Sequence, residues 1–134
     1  MLQAFFCDDA ATPDGKLHIH GIYYELTAEG FPARQERLVL CGIIEWQSGD
    51  AGNQDFIVDL LDPDGHSVFT VQGHTVVTDA GPGRAPAHTN LVLPLENVVF
   101  PAAGRYRSRF KVRGTEIFGP NLYLSDSREV SASS

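Results

Sequence analysis

From Gly104 to Val112 the chain alternates without a break. Tyr106, Ser108, Phe110 and Val112 fall on one side, and Arg105, Arg107, Arg109 and Lys111 on the other. Successive side chains of an extended strand point to opposite faces, so a period of two over nine residues suits a half-buried strand and little else. The same period runs through most of the chain, and no window of ten or more residues carries a helical one. Eight strands are predicted, over 2–8, 16–26, 37–46, 54–61, 66–77, 88–95, 104–112 and 115–124. They are rich in β-branched and aromatic residues, and turn residues separate them. Short helical turns are compatible with the loops 28–36 and 95–99.

The turns carry their own chemistry. In Asp62-Pro63-Asp64-Gly65, the proline presets the first central dihedral of a type I turn, and the glycine supplies the left-handed position that closes a bulged hairpin. Pro13-Asp14-Gly15 is a similar signal. Arg113-Gly114 is a tight connection. If Val112 pairs with Thr115 across it, Lys111 faces Glu116, Phe110 faces Ile117 and Arg109 faces Phe118. The segment 78–87 holds Gly81-Pro82-Gly83-Arg84-Ala85-Pro86 and reads as a surface loop.

Eight short strands with one apolar and one polar face predict an all-β fold, a two-sheet antiparallel sandwich. Tyr106 follows a Pro/Gly corner, Phe100-Pro101-Ala102-Ala103-Gly104, where immunoglobulin-like sandwiches place their tyrosine corner. Two residues on, Ser108 stands where antibody domains have a cysteine, so their inter-sheet disulfide is absent. The expected organisation is one immunoglobulin-like domain over 1–124 and a flexible polar tail over 125–134. The expected core is Phe5, Leu17, Ile19, Val39, Phe56, Val58, Leu60, Leu91, Leu93, Tyr106, Phe110 and Ile117. A slip of one residue would invert any strand's set.

Charge narrows the partners. The chain holds 10 Lys/Arg against 17 Asp/Glu, a net charge of −7. That balance argues against nucleic acid and anionic membrane as partners. No run of 18 apolar residues predicts a transmembrane helix. The start, Met1-Leu2-Gln3-Ala4-Phe5-Phe6-Cys7-Asp8-Asp9, lacks the basic n-region of a leader, so the expected location is cytoplasmic. Cys7 and Cys41 then read as buried free thiols, without metal or redox spacing, a disulfide being the alternative if their strands are neighbours.

Five of the ten basic residues fall within 105–113. Arg105, Arg107, Arg109 and Lys111 on one strand face form a candidate anion- or partner-binding stripe, since guanidinium groups offer forked donors to carboxylate or phosphate. The structural alternative is charge pairing in the sheet: if segment 54–61 lies alongside, Asp55 and Asp59 meet the arginines. His18-Ile19-His20 places two imidazoles on one strand face, with Glu25 five residues beyond. This resembles part of the first metal motif of the cupins, which implies His18, His20, Glu25 and His88 as ligands of a metal-dependent enzyme. The glycine spacing before His18 and the second half-motif around His88 depart from that pattern. No Gly-x-Ser-x-Gly elbow, phosphate-binding glycine loop or activated cysteine is present. The expectation is therefore a non-catalytic binding or protein-interaction module without a cofactor, with a protein partner or a homodimer as its working state. A structural role in a larger bacterial assembly is the third reading.

Several stretches together resemble a family of small, functionally uncharacterised bacterial β-sandwich proteins of about 130 residues. They are Ala4–Asp9, Gly15-Lys16-Leu17 with Gly21-Ile22, Phe31-Pro32, Leu60-Leu61-Asp62-Pro63-Asp64-Gly65, Asn90-Leu91-Val92-Leu93, and Phe100-Pro101 with Gly104-Arg105-Tyr106. The resemblance implies a bacterial cytoplasmic protein with no assigned activity. It supplies no catalytic residues.

Overall fold

Among the described residues nine strands form where eight were expected. The computed structural model describes residues 2–130. In chain order the strands are β1 (Leu2–Ala11), β2 (His18–Tyr23), β3 (Glu25–Ala28), β4 (Ala33–Glu45), β5 (Gly52–Leu61), β6 (Ser67–Val77), β7 (His88–Phe100), β8 (Gly104–Val112) and β9 (Thr115–Asp126). A 3-10 turn at Pro13–Gly15 and a one-turn helix α1 (Ser127–Val130) complete the described chain. A four-stranded sheet in the order β2-β1-β4-β7 faces a five-stranded sheet in the order β3-β9-β8-β5-β6. Pairing is antiparallel except between β3 and β9, which run parallel. Among the described residues no helix is long and apolar enough to cross a membrane.

The additional strand comes from 16–26, expected as one piece. Its first part pairs with β1 in the first sheet, and its second part crosses to the edge of the other as β3. Tyr24 makes the crossing, and its carbonyl accepts a hydrogen bond from the Tyr123 N–H at 3.0 Å. The loops 28–36 and 95–99 hold no helical turn: β4 starts at Ala33, and 95–99 lies inside β7. The tail expected at 125–134 begins as structure. Ser125 and Asp126 pair with Thr27 and Ala28, while residues 131–134 of it lie outside the described residues.

The turns act as their residues dictate. Gly65 has φ 89°. The Asp62 carbonyl accepts the Gly65 N–H at 2.9 Å, and the ladder shifts register at Leu60/Leu61. Arg113 and Gly114 both adopt positive φ, the backbone of a tight two-residue hairpin turn whose twist matches its strands. Val112 consequently meets Thr115, Lys111 meets Glu116, Phe110 meets Ile117 and Arg109 meets Phe118, as expected.

Between the sheets lie Phe6, Leu38, Leu40, Phe56, Val58, Leu60, Leu91, Phe100, Tyr106, Phe110, Leu122 and their neighbours. On β5 and β8 the expected core faces inward. On the first sheet Leu91 and Leu93 of β7 also join the core, but the set expected from β1, β4 and the segment before and within β2 does not. Phe5, Leu17, Ile19 and Val39 pack with Cys7, Ala10, Cys41 and Val92 in a separate cluster. The strand β4 explains the inversion. Leu38-Val39-Leu40-Cys41-Gly42-Ile43-Ile44 is apolar on both faces, so alternation cannot say which face points inward. The outer face is covered because the far end of the β1–β2 hairpin folds across it: Asn90 on β7, the opposite edge strand, donates to the Gly15 carbonyl at 3.2 Å.

Cys7 and Cys41 meet in this outer cluster as free thiols, with sulfurs 3.6 Å apart and both side chains buried. Burial, the contact with Cys41 and the charges of Asp8 and Asp9 push the Cys7 thiol up to about 12. Burial also raises Cys41, against hydrogen bonds with Cys7 and Phe5 that lower it. Thiolate is the reactive species. Iodoacetamide at pH 8 is therefore expected to leave both cysteines of the native protein unmodified and to alkylate both in urea. Mass spectrometry reads the difference, and rapid native alkylation would contradict the burial.

Candidate functional site

The basic stripe lies on the solvent side of the five-stranded sheet, because Tyr106, Ser108, Phe110 and Val112 take the inner side of β8. Segment 54–61 does lie beside it, as part of β5. The five basic residues then meet different fates. Arg109 sits opposite Asp59, and its Nη2 donates to the carboxylate at 2.9 Å. Thr70 on β6 donates to the same carboxylate at 2.5 Å, so Asp59 ties three adjacent strands together. Burial pushes the Asp59 carboxyl up, but hydrogen bonds from Thr70 and Arg109 and the charges of Arg109 and Lys111 outweigh it, holding the group below the usual range. Arg113, beyond the strand, pairs with the buried Asp50. Lys111 faces Glu116 in register. Asp55 turns away from the stripe and meets His74 on β6 at 2.8 Å.

Arg105 and Arg107 remain. Among the described residues no carboxylate lies within ion-pair distance of either. The Arg107 guanidinium stands 4.8 Å from the centre of the Phe118 ring. Phe118 is 50% exposed and Tyr123, opposite Arg105, is 47% exposed. The unmatched charge thus lies beside two open aromatic faces. Sequence reading found the arginines and set Phe118 opposite Arg109, but missed Tyr123. The hairpin register alone sets Leu122 opposite Arg105, and the register shift at Arg107/Arg109 brings Tyr123 there instead.

The residues of the metal alternative are not brought together. His18 and His20 are exposed on β2, at one edge of the four-stranded sheet; His88 is on β7 at the other, and Glu25 belongs to the opposite sheet. His20 faces Asp9, whose carboxylate is held by Arg37 at 3.2 Å. The physical reason is the crossing at Tyr24, which carries Glu25 away from the strand bearing both histidines. Among the described residues the three-membered group of potential ligands is Asp62, Asp64 and His66. The β5–β6 turn accounts for it, since Asp62 Oδ1 accepts the backbone N–H groups of Asp64 and His66.

The loop 78–87 overhangs an open depression of about 720 Å³, lined by Trp46, Asp79, Pro82, Arg84 and Pro86 among others. It is wide and holds no cluster of titratable groups comparable to that on β8.

Residues 2–124 match the model of DUF6941, described as a family of unknown function. The chain belongs to this family. The resemblance to a small uncharacterised family is thereby borne out over almost the whole DUF6941 chain. No curated protein and no solved structure matches it.

Proposed function

We propose that this DUF6941 member is a non-catalytic protein-interaction module, and that its working surface is the Arg105–Arg107–Phe118–Tyr123 patch. The observation that carries the reading is the division of charge along β8. Arg109 and Arg113 are consumed by Asp59 and Asp50, while Arg105 and Arg107 stand among exposed aromatics. Arginine and aromatic side chains are the residue types that dominate protein interfaces. An acidic segment of a protein partner fits best: its carboxylates meet the guanidinium forks while its apolar groups cover Phe118 and Tyr123. The scaffold, two packed sheets with an immunoglobulin-like tyrosine corner, suits a rigid presenting surface.

The test is a titration with a fluorescein-labelled decapeptide of alternating glutamate and leucine. Wild type is expected to bind it, with affinity falling as salt rises. Arg105→Glu/Arg107→Glu should weaken binding at least tenfold. Lys16→Glu, on an exposed loop elsewhere, should leave it unchanged. Equal losses in both variants, or no binding by wild type, would refute the patch.

A further inference from the structure

The two sheets present four edge strands, and their treatment is unequal. A free edge offers unpaired N–H and C=O groups to any other strand, so folded proteins blunt it with short length, proline, charge or irregular backbone. β3 has four residues and opens with Glu25. β2 has six, interrupted by Gly21 at φ 70°. β7 carries Pro94, Glu96 and Asn97, the last at φ 55°. Even the part of β9 beyond β3 is guarded, by Pro120 next to the register shift at Arg107/Arg109.

β6 carries one such device, near its start, where the register shift at Leu60/Leu61 leaves Val68 outside the ladder, and none beyond it. Ser67–Val77 runs for eleven residues, Ser-Val-Phe-Thr-Val-Gln-Gly-His-Thr-Val-Val, without proline, acid, lysine or arginine. None of its residues, Gly73 included, adopts a positive φ. Among the described residues its outer side pairs with no strand. At about 3.4 Å per residue the open edge is roughly 37 Å long. Near its C-terminal end Thr75 touches Thr89 of β7 at 3.4 Å, which leaves Val68–His74 as the freest stretch.

We propose that β6 is a dimerisation edge, occupied by β6 of a second copy in antiparallel register centred within Val68–His74. A second copy fits better than an unrelated strand on two grounds. The edge bears no fixed charge, so two copies meet there without the repulsion that a net charge of −7 creates elsewhere. The carboxylates nearest to it are already engaged, Asp59 by Thr70 and Arg109, and Asp55 by His74. An antiparallel pair is also self-complementary under a two-fold axis, as a closed dimer requires.

The geometry has a consequence for the patch on β8, which rests on the reading proposed above. The two-fold axis stands perpendicular to the sheets, so both solvent faces stay on one side of a continuous ten-stranded sheet. Five inter-strand steps then separate β8 from its symmetry mate, about 24 Å at about 4.8 Å per step. Two acidic segments at that spacing would be held together, with the gain of bivalent binding.

Sedimentation velocity tests the dimer, independently of any acidic ligand. Wild type at 100 µM is expected at twice the 14.6 kDa chain mass. Gln72→Lys/Val76→Lys alters two exposed positions and places like charges across the pairing. It should sediment as a monomer with an unchanged circular dichroism spectrum. Hydrogen exchange supplies a readout that does not depend on the variant folding: amides in Val68–His74 should gain at least tenfold protection between 1 and 100 µM wild-type protein. A monomeric wild type at 100 µM, a variant that remains dimeric, or concentration-independent exchange would overturn the proposal. A dimer that fails to bind the glutamate peptide refutes the patch and leaves the edge standing.

Discussion

Truncating Tyr106 to alanine is expected to cost about 3–5 kcal/mol of stability, the range for removing a large aromatic from a packed core. Tyr106 is fully buried, and its ring meets Phe100 edge-on, centroids 5.0 Å apart at 90°. Its hydroxyl donates to the Ala102 carbonyl at 2.6 Å and accepts the Ala102 N–H at 3.2 Å. The side chain therefore staples the β7–β8 corner to the start of β8 while filling the core. Tyr106→Phe separates the two roles. It keeps the ring, strands both Ala102 groups, and should cost only about 1–2 kcal/mol. Urea midpoints at unchanged m-value read both numbers. A phenylalanine variant as damaged as the alanine variant would mean that the ring contributes little.

The same residue sets an alkaline limit. Burial raises the Tyr106 phenol, the charge of Asp62 adds to that, and the hydrogen bond with Ala102 opposes it. A raised acid is neutral in the folded protein where the unfolded chain has begun to ionise. Its contribution is intact below the unfolded value near 10 and declines as pH rises through the folded one. Tyr106→Phe should flatten the fall in stability above about pH 10.

How legible this molecule was depends on how one-sided each strand is. β8 carries basic residues on one face and mostly apolar ones on the other, with a turn whose chemistry sets the register, and its pairing with β9 could be read to the residue from Val112 back to Arg109, where the ladder shifts. β1 and β4 are apolar on both faces, and there the inward set was inverted: Phe6, Leu38 and Leu40 face the core where Phe5 and Val39 were expected. The outer apolar face has a tertiary cause, the β1–β2 hairpin folding back across its own sheet, which no local pattern announces. The split of 16–26 was hidden for a related reason. Ile22-Tyr23-Tyr24 is an apolar, β-prone run that suits a continuing strand, so nothing in the sequence marked the break that carries Glu25 away from His18 and His20. Within the stripe, alternation marked four basic residues as equivalent. Only the neighbours across β5 and β9 distinguish the arginine that is spent from those that are not.

Asp59→Ala should remove about 2–3 kcal/mol, because it leaves the charge of Arg109 short of its partner on a sheet surface where Arg109 is only 24% exposed. The guanidinium already has one strained account: its Nε is buried without a hydrogen-bond partner. Thr70 loses its acceptor as well. The double variant Asp59→Leu/Arg109→Leu should regain most of the loss, since it removes both charges rather than orphaning one. The pH dependence has a definite sign. The folded carboxyl lies below its ordinary value, so its contribution is present above the unfolded value near 3.9 and disappears as pH falls through the folded one. Wild type and Asp59→Asn should accordingly differ in urea unfolding at pH 7 and converge as pH falls below the unfolded value and through the folded one. The same substitution bears on function. Asp59 neutralises the middle of the stripe, confining free charge to Arg105 and Arg107. Removing its charge returns Arg109 to the surface, and binding of the glutamate–leucine peptide should tighten even as the fold weakens. A loss of binding would mean that Asp59 shapes the patch through the backbone of β5 rather than through charge.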